Sequence, residues 1–188
     1  MMRELSLDFL NTRWYLTHTL NKEILADPIL FKEFLEVRQL QVEIPLSFGT
    51  IESLLELRTF LAKVLEDYTR ENSISLEVIK RINHYLAIST CRRVVEQGEH
   101  GVRITIQPLS IDWNWIIAEI TASFVELIEY GENNRIKICE NPDCKWFFYD
   151  ETKSRTKRWC DDKCASLMKV RKFRAQKKIM AKTAGTLE

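Results

Sequence analysis

Cys139-Glu140-Asn141-Pro142-Asp143-Cys144, answered by Cys160-Asp161-Asp162-Lys163-Cys164, is the stretch on which the reading of this 188-residue chain turns. Four of the five cysteines fall there as C-x4-C-x15-C-x3-C, a spacing that lets two short ligand pairs close one metal shell. Thiolates select a soft, tetrahedral cation, Zn2+ foremost. With four sulfurs no coordination position stays open for water, so one structural zinc is expected rather than a catalytic one. Two disulfides are the alternative, and a secreted mini-domain would favour them. Against them, Met1-Met2-Arg3-Glu4-Leu5-Ser6 lacks the apolar run of a signal peptide. No apolar stretch approaches membrane-spanning length, so a reducing, cytoplasmic location without membrane attachment is expected. Cys91, far upstream in a helical pattern, reads as a small buried hydrophobe.

Charge divides the chain at the same place. Residues 1–134 carry 13 Lys/Arg against 20 Asp/Glu, and residues 135–188 carry 15 against 7, balances of −7 and +8. An acidic body is joined to a basic end, which points to a polyanionic partner for that end alone. With 45% hydrophobic residues, 5 Gly and 4 Pro, the chain has the material for a core and little for linkers.

Outward from the cysteines, the body reads as mainly α with one β-hairpin. Leu7, Leu10, Trp14 and Tyr15 have helical spacing. Asp27-Pro28 caps and opens a second helix, from Ile29 to Leu40, with Leu30, Phe34, Leu35 and Val37 inward. Thr50 is placed to cap a third, with a stripe from Ile51 through Leu54, Leu57, Leu61 and Leu65 to Tyr68. Ser75 is placed to cap a fourth, with Val78, Ile79, Ile82, Tyr85 and Leu86 inward. The period then changes to 2: Arg93–Glu96 and Val102–Ile106 flank a glycine-bearing turn, predicting a hairpin near 93–106. Asp112 starts a long helix, and Gly131-Glu132-Asn133-Asn134 ends it. The predicted domains are a helical body over 1–134, a zinc module over 135–182 and a tail over 183–188. In the module, Asn141-Pro142-Asp143 makes a knuckle, Lys145–Tyr149 a strand, and Lys163 to about Ala181 a helix capped by Asp161 and Asp162. Knuckle, hairpin and ligand-bearing helix resemble a treble clef.

These residues carry a family resemblance. Arg135-Ile-Lys-Ile-Cys-Glu-Asn-Pro-Asp-Cys-Lys-Trp-Phe-Phe-Tyr-Asp150, with Arg158-Trp-Cys160 and Lys169-Val-Arg-Lys-Phe-Arg174, resembles the CGNR zinc finger. Leu7-Asp-Phe-Leu-Asn-Thr12 and Leu57-Arg58 resemble the ABATE domain that precedes this finger in bacterial stress-induced transcription regulators. The resemblance implies Cys139, Cys144, Cys160 and Cys164 as zinc ligands, and binding of duplex DNA in transcription control. The four letters that name the finger are here Cys164-Ala165-Ser166-Leu167, so the ligand is kept and the next three residues differ.

The chemistry offers a surface for that role. Arg171, Arg174, Lys178 and Lys182 share one helical stripe, and Lys153, Arg155, Lys157 and Arg158 stand in the preceding connection, all suited to phosphates. Leu167, Val170 and Phe173 form an apolar face expected to seat the helix on the module's hairpin, with Trp159 packed over the metal site. No enzyme is expected. His18, His84 and His100 are dispersed, and no nucleophile elbow, phosphate loop or Glu-flanked histidine pair occurs. Asp8, Asn11, Arg13 and Arg58 are candidates for a small-ligand pocket in a sensor body, against capping and ion pairing. Two other readings stay open: a protein-interaction adaptor docking through Trp146, Phe148 and the basic helix, and an RNA-binding protein. Homodimerisation is compatible with DNA reading by half-sites.

Overall fold

A computed structural model describes residues 2–13, 23–38, 40, 42, 45–98 and 101–184. Trp14, Tyr15, His18 and His100 lie outside the described residues. The fold is mainly helical with two small antiparallel hairpins. The chain divides into two compact units; within the described residues, the first runs to Asn133 and the second begins at Asn134.

In the first unit, α1 (Met2–Leu10), α2 (Pro28–Val37), α3 (Phe48–Glu71), α4 (Leu76–Ala87) and α5 (Trp113–Tyr130) are joined by a hairpin of β1 (Cys91–Gly98) and β2 (Gly101–Pro108). Helix α5 is the hub, packed against α1, α3 and α4. It is apolar on most of its circumference, and Ile116, Ile120, Phe124 and Leu127 are fully buried with Phe9, Leu54, Leu57, Leu61 and Leu65. A helix apolar on nearly all sides must be surrounded, which is why α5 takes the centre. The Ser6 amide donates to Ser123 Oγ at 3.1 Å, tying α1 to it.

Several caps stand where the sequence puts them. Asp27 accepts from the Ile29 and Leu30 amides at 3.1 and 3.2 Å, Ser75 from Val78, and Asp112 from Trp115. α3 differs: Ser47, not Thr50, is its cap, accepting from the Thr50 amide at 3.1 Å, so the helix starts before Gly49. α2 ends at Val37, and that residue is 78% exposed while Phe31 turns inward. In α4 only Ile82 is buried, and Ile79 is exposed.

The hairpin is longer than predicted, with Cys91 opposite Pro108 and Gly98 opposite Gly101. Cys91 is therefore an exposed strand residue, not a buried helical one. Val95, Val102, Ile104 and Ile106 face solvent, 65–76% exposed. Period 2 correctly places Val102, Ile104 and Ile106 on one face, and the register adds Val95 opposite Ile104, but a two-stranded ribbon has no second layer to bury it.

Because Phe124 is enclosed with no exposed surface, Phe124→Ala should destabilise the first unit by about 3–5 kcal/mol. Urea unfolding followed by helical circular dichroism checks this.

Candidate metal centre and basic helix

The second unit contains β3 (Ile136–Ile138), β4 (Phe147–Tyr149) and α6 (Asp162–Ala184). β3 and β4 pair antiparallel, Ile136 opposite Tyr149 and Ile138 opposite Phe147. Between them lies the knuckle. The Cys139 amide donates to the Trp146 carbonyl at 2.9 Å, and the Cys144 amide to the Asn141 carbonyl at 2.9 Å. Lys145 takes a left-handed conformation, φ 57°, turning the chain out of the knuckle. The Glu140 amide donates to the Arg158 carbonyl at 3.0 Å, bringing the segment that leads to Cys160 alongside. Asp161 Oδ1 accepts from the Cys164 amide at 2.8 Å, so the last cysteine sits in the first turn of α6.

These contacts bring the four predicted ligands together. All four sulfurs lie within 4.8 Å of one another. Cys160 Sγ stands 3.6 Å from Cys144 Sγ and 3.8 Å from Cys164 Sγ. The edge of a tetrahedron with Zn–S bonds of about 2.3 Å is about 3.8 Å, so these sulfurs are spaced for one shared ion. All are free thiols. Burial pushes the Cys139 thiol up to about 11. The Cys144 side chain, burial and neighbouring sulfurs push Cys160 up as well. A dication offsets that penalty and displaces the protons on binding. The donor set, burial and separations fit one structural zinc with Cys139, Cys144, Cys160 and Cys164 as ligands.

The surroundings finish the centre. Trp146, Phe148 and Trp159 pack on the cysteines and shield them. Asn141 has no exposed surface, and its Nδ2 donates to Cys164 Sγ at 3.2 Å. A four-thiolate zinc carries a charge of about −2, and this donor and the N-terminus of α6 both favour it.

A second fixed point is Asp150, also without exposed surface. Burial alone would raise its pKa. The Lys137 ammonium at 2.7 Å, the Thr152 hydroxyl and amide, and the Lys157 amide outweigh burial and hold the carboxyl well below the ordinary value of 3.8. Arg135 reinforces the turn by donating to the Asp150 and Thr152 carbonyls at 2.8 and 2.9 Å. Neither Asp150 nor Asn141 is singled out by spacing, although an Asn-Pro-Asp turn is a signal for the second.

The predicted cations fare differently. Arg158 is paired with Glu140, its Nε at 2.7 Å, and stacks on Trp159 at 5.2 Å. Lys157 Nζ lies 5.6 Å above the Phe148 ring. The Arg155 carbonyl accepts from Lys137. Arg171 pairs with Asp143. Lys153, Arg174 and Lys178 are exposed, and the side chain of Lys182 lies outside the described residues. On α6 every residue from Lys169 to Met180 is exposed. Leu167, Val170 and Phe173 are 39%, 47% and 66% exposed, so the expected seating of an apolar face on the hairpin does not occur.

Of the residues proposed for a ligand pocket, Asp8 and Arg58 are engaged within the first unit. Asp8 pairs with Arg38 at 2.5 Å. Arg58 is buried, its guanidinium bonded to both Glu23 oxygens at 2.6 and 2.5 Å and to Thr12 Oγ1 at 3.0 Å. Asn11 is buried beside them in sequence, and Arg13 is exposed.

Residues 135–177 match the family model of the CGNR zinc finger. No curated protein matches the chain. No described helix is long and apolar enough to cross a membrane.

Metal analysis should return one zinc per chain, and Cys144→Ser should lose it. Asp150, with its depressed pKa, contributes stability at neutral pH that is lost as pH falls below the ordinary aspartate range. At pH 7, Asp150→Asn should therefore speed tryptic cleavage at Lys153 and Arg155, read by mass spectrometry, while zinc content stays at one.

Proposed function

We propose that this chain is a DNA-binding transcription regulator in which a structural zinc finger presents α6 to the duplex. One observation carries the reading: α6 holds eight Lys/Arg against the single acid Asp162, and its side chains stay exposed from Lys169 to Met180. A helix so charged, with no covering layer, is built to meet negative charge. The family match over residues 135–177 supports the same role. Phosphate contacts fall to Lys153, Arg155 and Lys157 in the connection, and to Arg174, Lys178 and Lys182 along one stripe of α6, while Arg158 is paired with Glu140. Such contacts set affinity and orientation, and sequence choice requires base edges in addition.

The adaptor reading has less to work with. Phe148 is 8% exposed and, with Trp146, packs on the cysteines, leaving little of these two rings for a partner. RNA remains the other polyanion, and competition separates it from duplex DNA. Reception of a stress signal or small ligand belongs in this proposal to the helical first unit. Its polar residues Asp8 and Arg58 would have to exchange their present partners for a ligand. A thermal shift of the full chain with candidate metabolites reports such an exchange.

Duplex binding should weaken with salt by about 0.9 log units per log unit of salt for each phosphate contacted. Gel shifts from low to moderate salt measure the slope. No binding at low salt, or preferential displacement by single-stranded RNA, overturns the DNA reading.

A further inference from the structure

Arg171 lies seven residues beyond Cys164, two turns further along nearly the same side of α6. It does not point away from the zinc knuckle but reaches back to it. Its NH2 pairs with Asp143 Oδ2, and its NH1 lies 3.4 Å from Asn141 Oδ1. Asn141 Oδ1 also accepts from the Asp143 amide at 3.3 Å. With two donors directed at the amide oxygen, the amide nitrogen is aimed the other way, where it donates to Cys164 Sγ at 3.2 Å. A closed circuit results: Cys164, two turns of α6, Arg171, the Asn141–Asp143 turn, and back to the Cys164 sulfur.

We propose that Arg171 is a positioning residue that locks α6 to the metal centre, and not one of the phosphate contacts. Two observations carry this. The guanidinium is already committed to the Asp143 carboxylate and the Asn141 amide oxygen on the knuckle, so a phosphate would have to displace both. Arg171 also bonds the knuckle from a point two turns along α6, and the helix beyond it is exposed through Met180. The angle at which α6 leaves the zinc site is therefore set at two points, the ligand Cys164 and this strut. Asn141 is the direct partner of the ligand Cys164, and removing a partner of that kind alters metal affinity about 10- to 100-fold; Arg171 acts through it.

The DNA arm of the test rests on the proposed function, and the metal arm does not. Zinc-loaded full-length Arg171→Ala, Arg171→Lys, Asp143→Asn, the double Arg171→Ala/Asp143→Asn and, as a control, Arg174→Ala would be compared with the parent. Zinc transfer to a chromophoric chelator and hydrogen exchange along α6 are the metal-arm readouts. Arg171→Ala and Asp143→Asn should each hasten zinc release about 10-fold, the double variant no further, and Arg174→Ala not at all. Arg171→Lys, which keeps the charge but not the fork, should fall between. Exchange over residues 165–175 should rise in Arg171→Ala, Asp143→Asn and the double variant, and stay at the parent's level in Arg174→Ala. On duplex DNA, Arg171→Ala should keep the parent's salt slope, whereas Arg174→Ala should lower it by about 0.9. Zinc release unchanged in Arg171→Ala overturns the strut, as does a slope lowered by about 0.9 in that variant. If the parent binds no DNA, the functional reading fails while zinc release and exchange still decide the role of Arg171.

Discussion

Four sulfurs within 4.8 Å of one another, three of the four cysteines buried, can all be thiolates only with a dication between them. Nearly everything in the second unit follows from that. Its apolar content near the site amounts to Phe148, Trp146 and Trp159, and β3 and β4 are three residues each. A module of this size cannot bury enough apolar surface to hold itself together and relies on metal coordination instead. The metal joins a knuckle and the first turn of a helix that otherwise have little reason to meet.

The same ion explains how α6 can be both long and uncovered. An isolated helix gains little in water and depends on packing or on its ends. Here the N-terminal end is fixed by the Asp161 cap and by Cys164 as a ligand. A negatively charged centre at the N-terminus and lysines gathered at the C-terminal half both suit the helix macrodipole. What packing normally supplies along a helix is replaced by a firm root.

Metal chemistry is local, so the four ligands were readable from spacing alone. Caps at Asp27, Ser75 and Asp112 were readable for the same reason, each being a side chain answering an amide two or three residues on. The choice between Ser47 and Thr50 was not. Both are hydroxyl residues, three apart, and their side chains bond each other at 2.8 Å. Periodicity failed in a consistent way at Val37, Ile79, Leu167 and the outward face of the β1–β2 hairpin. It states which residues share a face, and cannot state whether another element covers that face. Cys91 was misplaced because the change from helical to strand period occurs at that residue. The Asn141, Asp143 and Arg171 circuit stayed hidden because the polar bonds that tie the turn to Cys164 and Arg171 span 23 to 30 residues.

Counting fifteen cations in residues 135–188 overstates what the module can offer a partner. Lys137 is spent on Asp150, Arg158 on Glu140 and Arg171 on Asp143, while Arg135 is held by two carbonyls. The thiolate centre subtracts about two more charges. What remains uncommitted is concentrated on α6, where Lys169, Lys172, Arg174, Lys177 and Lys178 fall within ten residues, about 15 Å of helix axis. A single acidic side chain would neutralise little of that line. One strand of a duplex, with a phosphate charge per about 3.4 Å of its axis, is close to that spacing of about 3 Å per cation, and the match depends on the direction in which the zinc site sends the helix.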